Sequence, residues 1–103
     1  MQSSKVGKFK VWYDSPEEFY ELKKEIFSEN CYYIGDLPSD FAQGKSMKII
    51  DLGAHIGMTT LYFKRLFPQA RLTAYEPIPA NFVLLKKNVE ENQLGNVKLV
   101  EAP

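Results

Sequence analysis

Met47-Lys48-Ile49-Ile50-Asp51-Leu52, continued by Gly53-Ala54-His55-Ile56-Gly57 and then Met58-Thr59-Thr60-Leu61, is the stretch that decides the fold. The first six residues read as a strand, and their apolar content predicts burial on both faces. Gly53 to Gly57 is a glycine-bracketed turn. Thr59 to Phe67 reads as a helix, with Leu61, Leu66 and its aromatics available to a sheet and Pro68 ending it. A strand, a glycine turn and a helix in immediate succession open a βαβ unit.

The continuation agrees. Arg71 to Tyr75 is a second strand and Glu76-Pro77-Ile78-Pro79 a loop. Ala80 to Asn92 is a second helix burying Phe82, Leu85 and Val89, with Gly95 at its stop. Asn96 to Val100 is a third strand. Strand–helix–strand–helix–strand with short connections predicts an α/β fold with a parallel sheet.

Upstream, Lys8 to Tyr13 is rich in β-favouring residues and predicts a short strand. Ser15-Pro16-Glu17-Glu18 is a helix start: Ser15 caps, Pro16 suits the first turn, and Glu18 completes a capping box. Phe19, Leu22, Ile26 and Phe27 follow at helical spacing, and the helix should end near Ser28. From Asn30 to Ser46 the signals are loop-like, with Gly35, Pro38 and Gly44 after a short apolar piece. Aromatics crowd this first third: Phe9, Trp12, Tyr13, Phe19, Tyr20, Phe27, Tyr32, Tyr33 and Phe41. The plainer expectation is that they pack against the neighbouring sheet, and the sharper one a lid or substrate wall.

Bulk composition restricts the function classes. The 103 residues amount to one small domain or a piece of a larger one. Lys plus Arg and Asp plus Glu each number 13, and zero net charge argues against a dedicated nucleic-acid binder. The one cysteine, Cys31, has no intrachain partner for a disulfide. No segment resembles a signal peptide, and none approaches the ~18 apolar residues of a membrane span. The expected setting is cytoplasmic, with no membrane partner.

In a parallel α/β unit the ligand crevice lies beyond the carboxyl ends of the strands, here at positions 51–57 and 76–79. Gly53 and Gly57 permit close backbone approach to a ligand and a sharp entry into the helix. The free N–H groups near Met58, Thr59 and Thr60 favour an anionic group. Asp51 either fixes the turn or accepts from a cationic ligand group. Glu76 ends the second strand, 19 residues after Gly57. An acid about 20 residues beyond a glycine turn is placed to hold two ribose hydroxyls. In the plainer reading the glycines only make a turn and Glu76 is a surface residue.

The spacing narrows the ligand. A dinucleotide fingerprint would place glycines at 55 and 58, where the chain has His55 and Met58, and no P-loop string occurs. The pattern D-x-G-x-x-x-G fits Asp51, Gly53 and Gly57 and favours S-adenosylmethionine. No metal site is expected.

Ile49 to Leu61 resembles the first motif of the FkbM-type methyltransferases, a hydrophobic-Asp-hydrophobic-Gly-Ala-Asn-hydrophobic-Gly pattern. Ala74-Tyr75-Glu76-Pro77-Ile78-Pro79-Ala80-Asn81-Phe82 resembles that family's second motif, and Leu85-Lys86-Lys87-Asn88-Val89, with Asn92 and Asn96-Val97, continues the likeness. The resemblance implies a Rossmann-like sheet preceded by an N-terminal extension, residues 1–46, with the cofactor-binding half at 47–103. It implies that Asp51, Gly53, Ala54 and Gly57, with His55 on the same turn, cradle the amino-acid part and ribose of S-adenosylmethionine. Glu76 would hold the ribose hydroxyls, with Pro77 and Ile78 beside the adenine. The activity implied is methyl transfer to a hydroxyl of a small molecule or sugar.

His55 stands where that family often has Asn. As the sole histidine it invites a catalytic reading, but a general base must reach the acceptor, and this position faces the turn and cofactor. No catalytic base is assigned. In the implied fold the first strand is central and a fourth lies beyond it. The chain is therefore expected to be truncated after the third strand, leaving an apolar edge open to self-association. A non-catalytic cofactor-binding or association module stays open as an alternative. So does an RNA methyltransferase, against which the neutral charge argues.

Overall fold

The structure is a computed structural model describing residues 1–28 and 48–102. It has three layers: an N-terminal hairpin with its helix, a middle layer of two helices, and a three-stranded parallel sheet. The expectations for the loop from Asn30 to Ser46, for Met47, Cys31, Tyr32, Tyr33 and Phe41, fall outside the described residues.

The sheet comprises β3 (Lys48–Leu52), β4 (Arg71–Tyr75) and β5 (Val97–Val100) in the order β3-β4-β5. Both pairings are parallel, with Asp51 opposite Ala74 and Leu52 opposite Tyr75. The connecting helices are α2 (Met58–Leu66) and α3 (Pro79–Glu91). Ala54, Leu72, Ala74, Leu85 and Val89 form the buried seam between sheet and helices, with Ile49, Phe82 and Leu99 packed at its margin.

Strand β3 departs from the sequence expectation. Asp51 is buried, whereas Ile50 and Leu52 are 67% and 72% exposed. Side chains alternate across a strand, so one face of β3 meets the helices and the other carries Ile50 and Leu52. No described element covers that second face. Burial on both faces would require a layer on each side, and the described residues supply one.

The hairpin is β1 (Gln2–Val6) and β2 (Phe9–Tyr13), paired antiparallel around a turn in which Gly7 has φ +59°. The polar run Gln2-Ser3-Ser4-Lys5 hides β1 from a hydrophobicity reading, because most of that strand is solvent-facing. Helix α1 (Pro16–Lys23) begins at Ser15, whose side chain accepts from the Glu18 N–H at 3.2 Å. Only half of the predicted capping box forms, since the Glu18 carboxylate is directed to His55 instead. The chain continues through a π-helical turn, Lys24–Ser28.

A second core joins the hairpin to the helices. Phe9, Val11, Tyr13, Phe19 and Ile26 are buried against Ile56, Met58, Leu61, Tyr62 and Leu84. Tyr13 and Phe19 stack with ring centroids 4.2 Å apart. These aromatics therefore cover the outer face of α2 and α3 rather than the sheet, because the helices stand between the two.

Helix ends and faces also differ in detail. Leu66 is 39% exposed and Phe82 only half-buried, while Leu84 and Asn88 are buried. The left-handed residues after α3 are Gln93 and Asn96, with φ of 52° and 58°, so Gly95 is not the residue that stops the helix. Lys64 is buried in the last turn of α2, where its ammonium donates to the carbonyls of Pro68 (2.9 Å) and Ala70 (2.8 Å). A cation there offsets the C-terminal end of the helix dipole.

Candidate cofactor site

The glycine turn lies between the ends of two adjacent parallel strands. The Ala54 N–H donates to the Tyr75 carbonyl at 3.0 Å, and the Gly57 N–H to the Ala54 carbonyl at 2.9 Å. The two glycines serve different ends. At Gly53, φ is +68° and a Cβ would meet nothing within 4 Å, so the position opens onto free space. At Gly57, φ is +103° and a Cβ would lie 3.0 Å from the Leu85 side chain. Gly57 thus lets α2 approach α3, and Gly53 keeps the turn open toward the crevice.

Glu76, only 2% exposed, follows β4 and reaches back to the turn. One carboxylate oxygen accepts from the His55 N–H at 2.8 Å and the other from the Ile78 N–H at 3.0 Å. An ionised carboxylate oxygen has two lone-pair sites, so each keeps one for a further donor. Pro77 and Ile78 lie beside it on the surface, Ile78 being 52% exposed.

Asp51 is 7% exposed and accepts from the Thr60 hydroxyl at 2.8 Å. Burial raises its pKa above the ordinary aspartate value, against the opposing pull of hydrogen bonds from Thr60 and Thr59 and of the nearby His55. Asp51 therefore ties the end of β3 to the first turn of α2. That turn has Gly57 as its N-cap, with no side-chain capping bond and no acidic residue. Its backbone donors are left available for an anionic ligand group.

Asp51, Gly53, Ala54 and His55 line a cleft of about 250 Å³, with Leu52, Met58 and Thr59. Its remaining wall comes from Leu22, Glu25 and Ile26, three residues that sequence reasoning assigned to an ordinary amphipathic helix. The only advance signal was the aromatic-rich character of that region. Gly57, Glu76, Pro77 and Ile78 are not among the residues that line the cleft.

His55 sits at φ 53°, in the left-handed region where His and Asn are enriched among non-glycine residues. Its Nδ1 lies 3.6 Å from the Glu18 carboxylate, with both side chains about half exposed. Among the described residues no group of three His, Cys, Asp or Glu side chains could hold a metal ion. No helix among them is long and apolar enough to cross a membrane.

The comparisons with known proteins agree with this architecture. The chain is 42% identical over 81 residues to Methyltransferase sdnD of Sordaria araneosa, covering 78% of the chain and 29% of that protein. It is 39% identical over 77 residues to Methyltransferase 1 of Beauveria bassiana (strain ARSEF 2860), covering 75% and 28%. The chain thus spans less than a third of the length of these curated relatives. No family model matches it.

Among solved structures, M. jannaschii TYW2 in complex with AdoMet superposes with a TM-score of 0.62 at 21% identity, covering 97% of this chain and 42% of that one. Precorrin-6y C5,15-methyltransferase from Geobacter metallireducens GS-15 gives 0.54 at 26% identity, over 62% and 34%. PKMT2 from Rickettsia typhi in complex with AdoHcy gives 0.50 at 25%, over 57% and 11%. The fold is the Rossmann-like fold of S-adenosylmethionine-dependent methyltransferases. By sequence the chain is a homologue of methyltransferases.

Proposed function

We propose that this chain carries the cofactor half of an S-adenosylmethionine-dependent methyltransferase and that the cleft beside the glycine turn holds the cofactor. The carrying observation is the pairing of that open turn with Glu76 across the ends of adjacent parallel strands. Gly53, Ala54 and His55 would hold the ribose and amino-acid parts, with Asp51 setting the turn. The lone pairs left on Glu76 would accept from the ribose hydroxyls, with Pro77 and Ile78 beside the adenine. The α2 N-terminus suits the methionine carboxylate. When bound, the cofactor supplies an electrophilic methyl group; the protein's contribution is alignment and exclusion of water.

The acceptor we assign is a hydroxyl of a small molecule or sugar. Its support is the likeness of the two motifs to the FkbM-type pattern. Titration of the chain with S-adenosylhomocysteine by calorimetry tests the cofactor assignment. Saturable binding at a single site is expected, and a folded chain that does not bind at millimolar ligand would refute it.

A further inference from the structure

The cleft wall contributed by α1 and the π-helical turn that continues it has no role in the sequence motifs, yet the structure fastens it in place. Phe19 and Ile26, 1% and 3% exposed, anchor α1 and its π-helical turn in the core beside Met58 and Leu61. Glu18, near the start of the same helix, reaches His55 on the glycine turn. Between these anchors, Leu22 and Glu25 stand three residues apart and line the cleft together with Ile26. Side chains at that spacing share a helix face. The change from α to π geometry falls at Lys24–Ser28, where the helix borders the cleft. Such turns recur at functional sites.

The two carboxylates lining the cleft differ in availability. Asp51 is buried and already accepts from the Thr60 and Thr59 hydroxyls. Glu25 is exposed on the opposite wall and has no hydrogen-bond or ion-pair partner among the described residues. The uncapped N-terminus of α2 gives the cleft a region favouring negative charge. A cleft with a positive helix end on one side and, on the other, a carboxylate unpaired among the described residues matches an α-amino acid group, which presents carboxylate and ammonium on one carbon.

We infer that Glu25 binds the α-ammonium of the cofactor's methionine part, so that the N-terminal helix is a working wall of the site. This rests on the cofactor reading given above. Glu25 adds selection for the ammonium of the amino-acid tail to a site whose glycine turn and Glu76 hold the rest of the cofactor.

The test compares S-adenosylhomocysteine with 5′-methylthioadenosine, which keeps the nucleoside and thioether but has no amino-acid group. Calorimetry would be run on the wild-type chain and on Glu25→Gln, an isosteric change at an exposed position. Its thermal midpoint should match wild type. S-adenosylhomocysteine should bind the variant roughly fivefold to tenfold more weakly, the range for one partly solvated charge-assisted contact. Binding of 5′-methylthioadenosine should change less than about twofold, since no contact is lost. An equal loss for both ligands, or no loss for S-adenosylhomocysteine, would overturn the assignment of Glu25 alone. Failure of the wild-type chain to bind either ligand would instead overturn the cofactor reading, and this inference with it.

Discussion

The side-chain amide of Asn88 takes both backbone polar groups of Trp12, accepting from its N–H at 2.6 Å and donating to its carbonyl at 3.1 Å. One turn further along α3, Asn92 does the same for Lys10, at 2.8 Å in each direction. Four residues of helix advance about 6 Å, and two residues of strand about 6.8 Å. Two asparagines at helical spacing therefore pair with alternate residues of β2 as a neighbouring strand would. Asn88 also donates to the Ile56 carbonyl in the glycine turn at 2.6 Å. One fully buried amide thus holds hairpin, helix and glycine turn in register.

Asn88→Ala should cost about 3 kcal/mol, because it strands three backbone groups that the amide now satisfies. Asn92→Ala, at a half-buried position, should cost about 1 kcal/mol. Urea denaturation followed by circular dichroism measures both. Equal costs would show that the Ile56 contact contributes nothing.

The two glycines of the turn should separate stability from binding. Gly57→Ala combines a positive φ with a 3.0 Å approach to Leu85 and should destabilise by about 2–3 kcal/mol. Gly53→Ala meets no atom and should cost only the backbone strain, about 1–2 kcal/mol. Its larger effect is expected on S-adenosylhomocysteine affinity, since position 53 lines the cleft. Thermal midpoints read beside calorimetric Kd values decide the matter; a Gly53→Ala chain with wild-type affinity would count against the site.

Asp51→Asn tests the raised pKa. A carboxylate whose folded pKa exceeds its unfolded value binds more protons when folded, so its contribution to stability falls as pH rises through that window. Asparagine can still accept from Thr60 and carries no buried charge. The variant should therefore compare more favourably with wild type at pH 8 than at pH 4. Denaturation at the two pH values provides the measurement. A difference of opposite sign would mean that the turn stabilises the charged form.

Glu76→Gln keeps the shape of the side chain but replaces one acceptor oxygen with a donor. One of the bonds to His55 and Ile78 must be lost, and a ribose hydroxyl loses an ionised acceptor. Affinity for S-adenosylhomocysteine should fall at least about tenfold. Unchanged affinity would refute the ribose assignment.

Lys64→Met should cost about 2 kcal/mol, since the carbonyls of Pro68 and Ala70 lose a charged donor. The change lies in the last turn of α2, at the opposite end of the helix from the cleft, so ligand affinity should be retained. Thermal denaturation and calorimetry on the same sample check both statements.

Much of this architecture was legible in local pattern. The period of apolar residues gave β3, β4, α2 and α3 to within a residue or two, and Ser15 marked the start of α1, because these features depend on neighbours in the chain. The spacing of the turn between Asp51 and Gly57 and of the acid at Glu76 likewise anticipated that the two would meet, as the bond from the His55 N–H to Glu76 shows. What escaped was set by partners distant in sequence. The polar strand β1 exists through its pairing with β2, and the exposure of Ile50 and Leu52 reflects which layers are present.

The amino-acid sequence by itself thus determined the βαβαβ order, the open turn at Gly53 and the position of Glu76 at the end of the neighbouring strand. Tertiary structure alone decided that Gly57 serves helix packing, that Asn88 and Asn92 complete the edge of β2, and that Glu25 faces the cleft. The physical reason is one of range. Strand and helix periods are local properties of the chain, whereas a side chain's work depends on what lies opposite it, here as far as 82 residues away between Lys10 and Asn92.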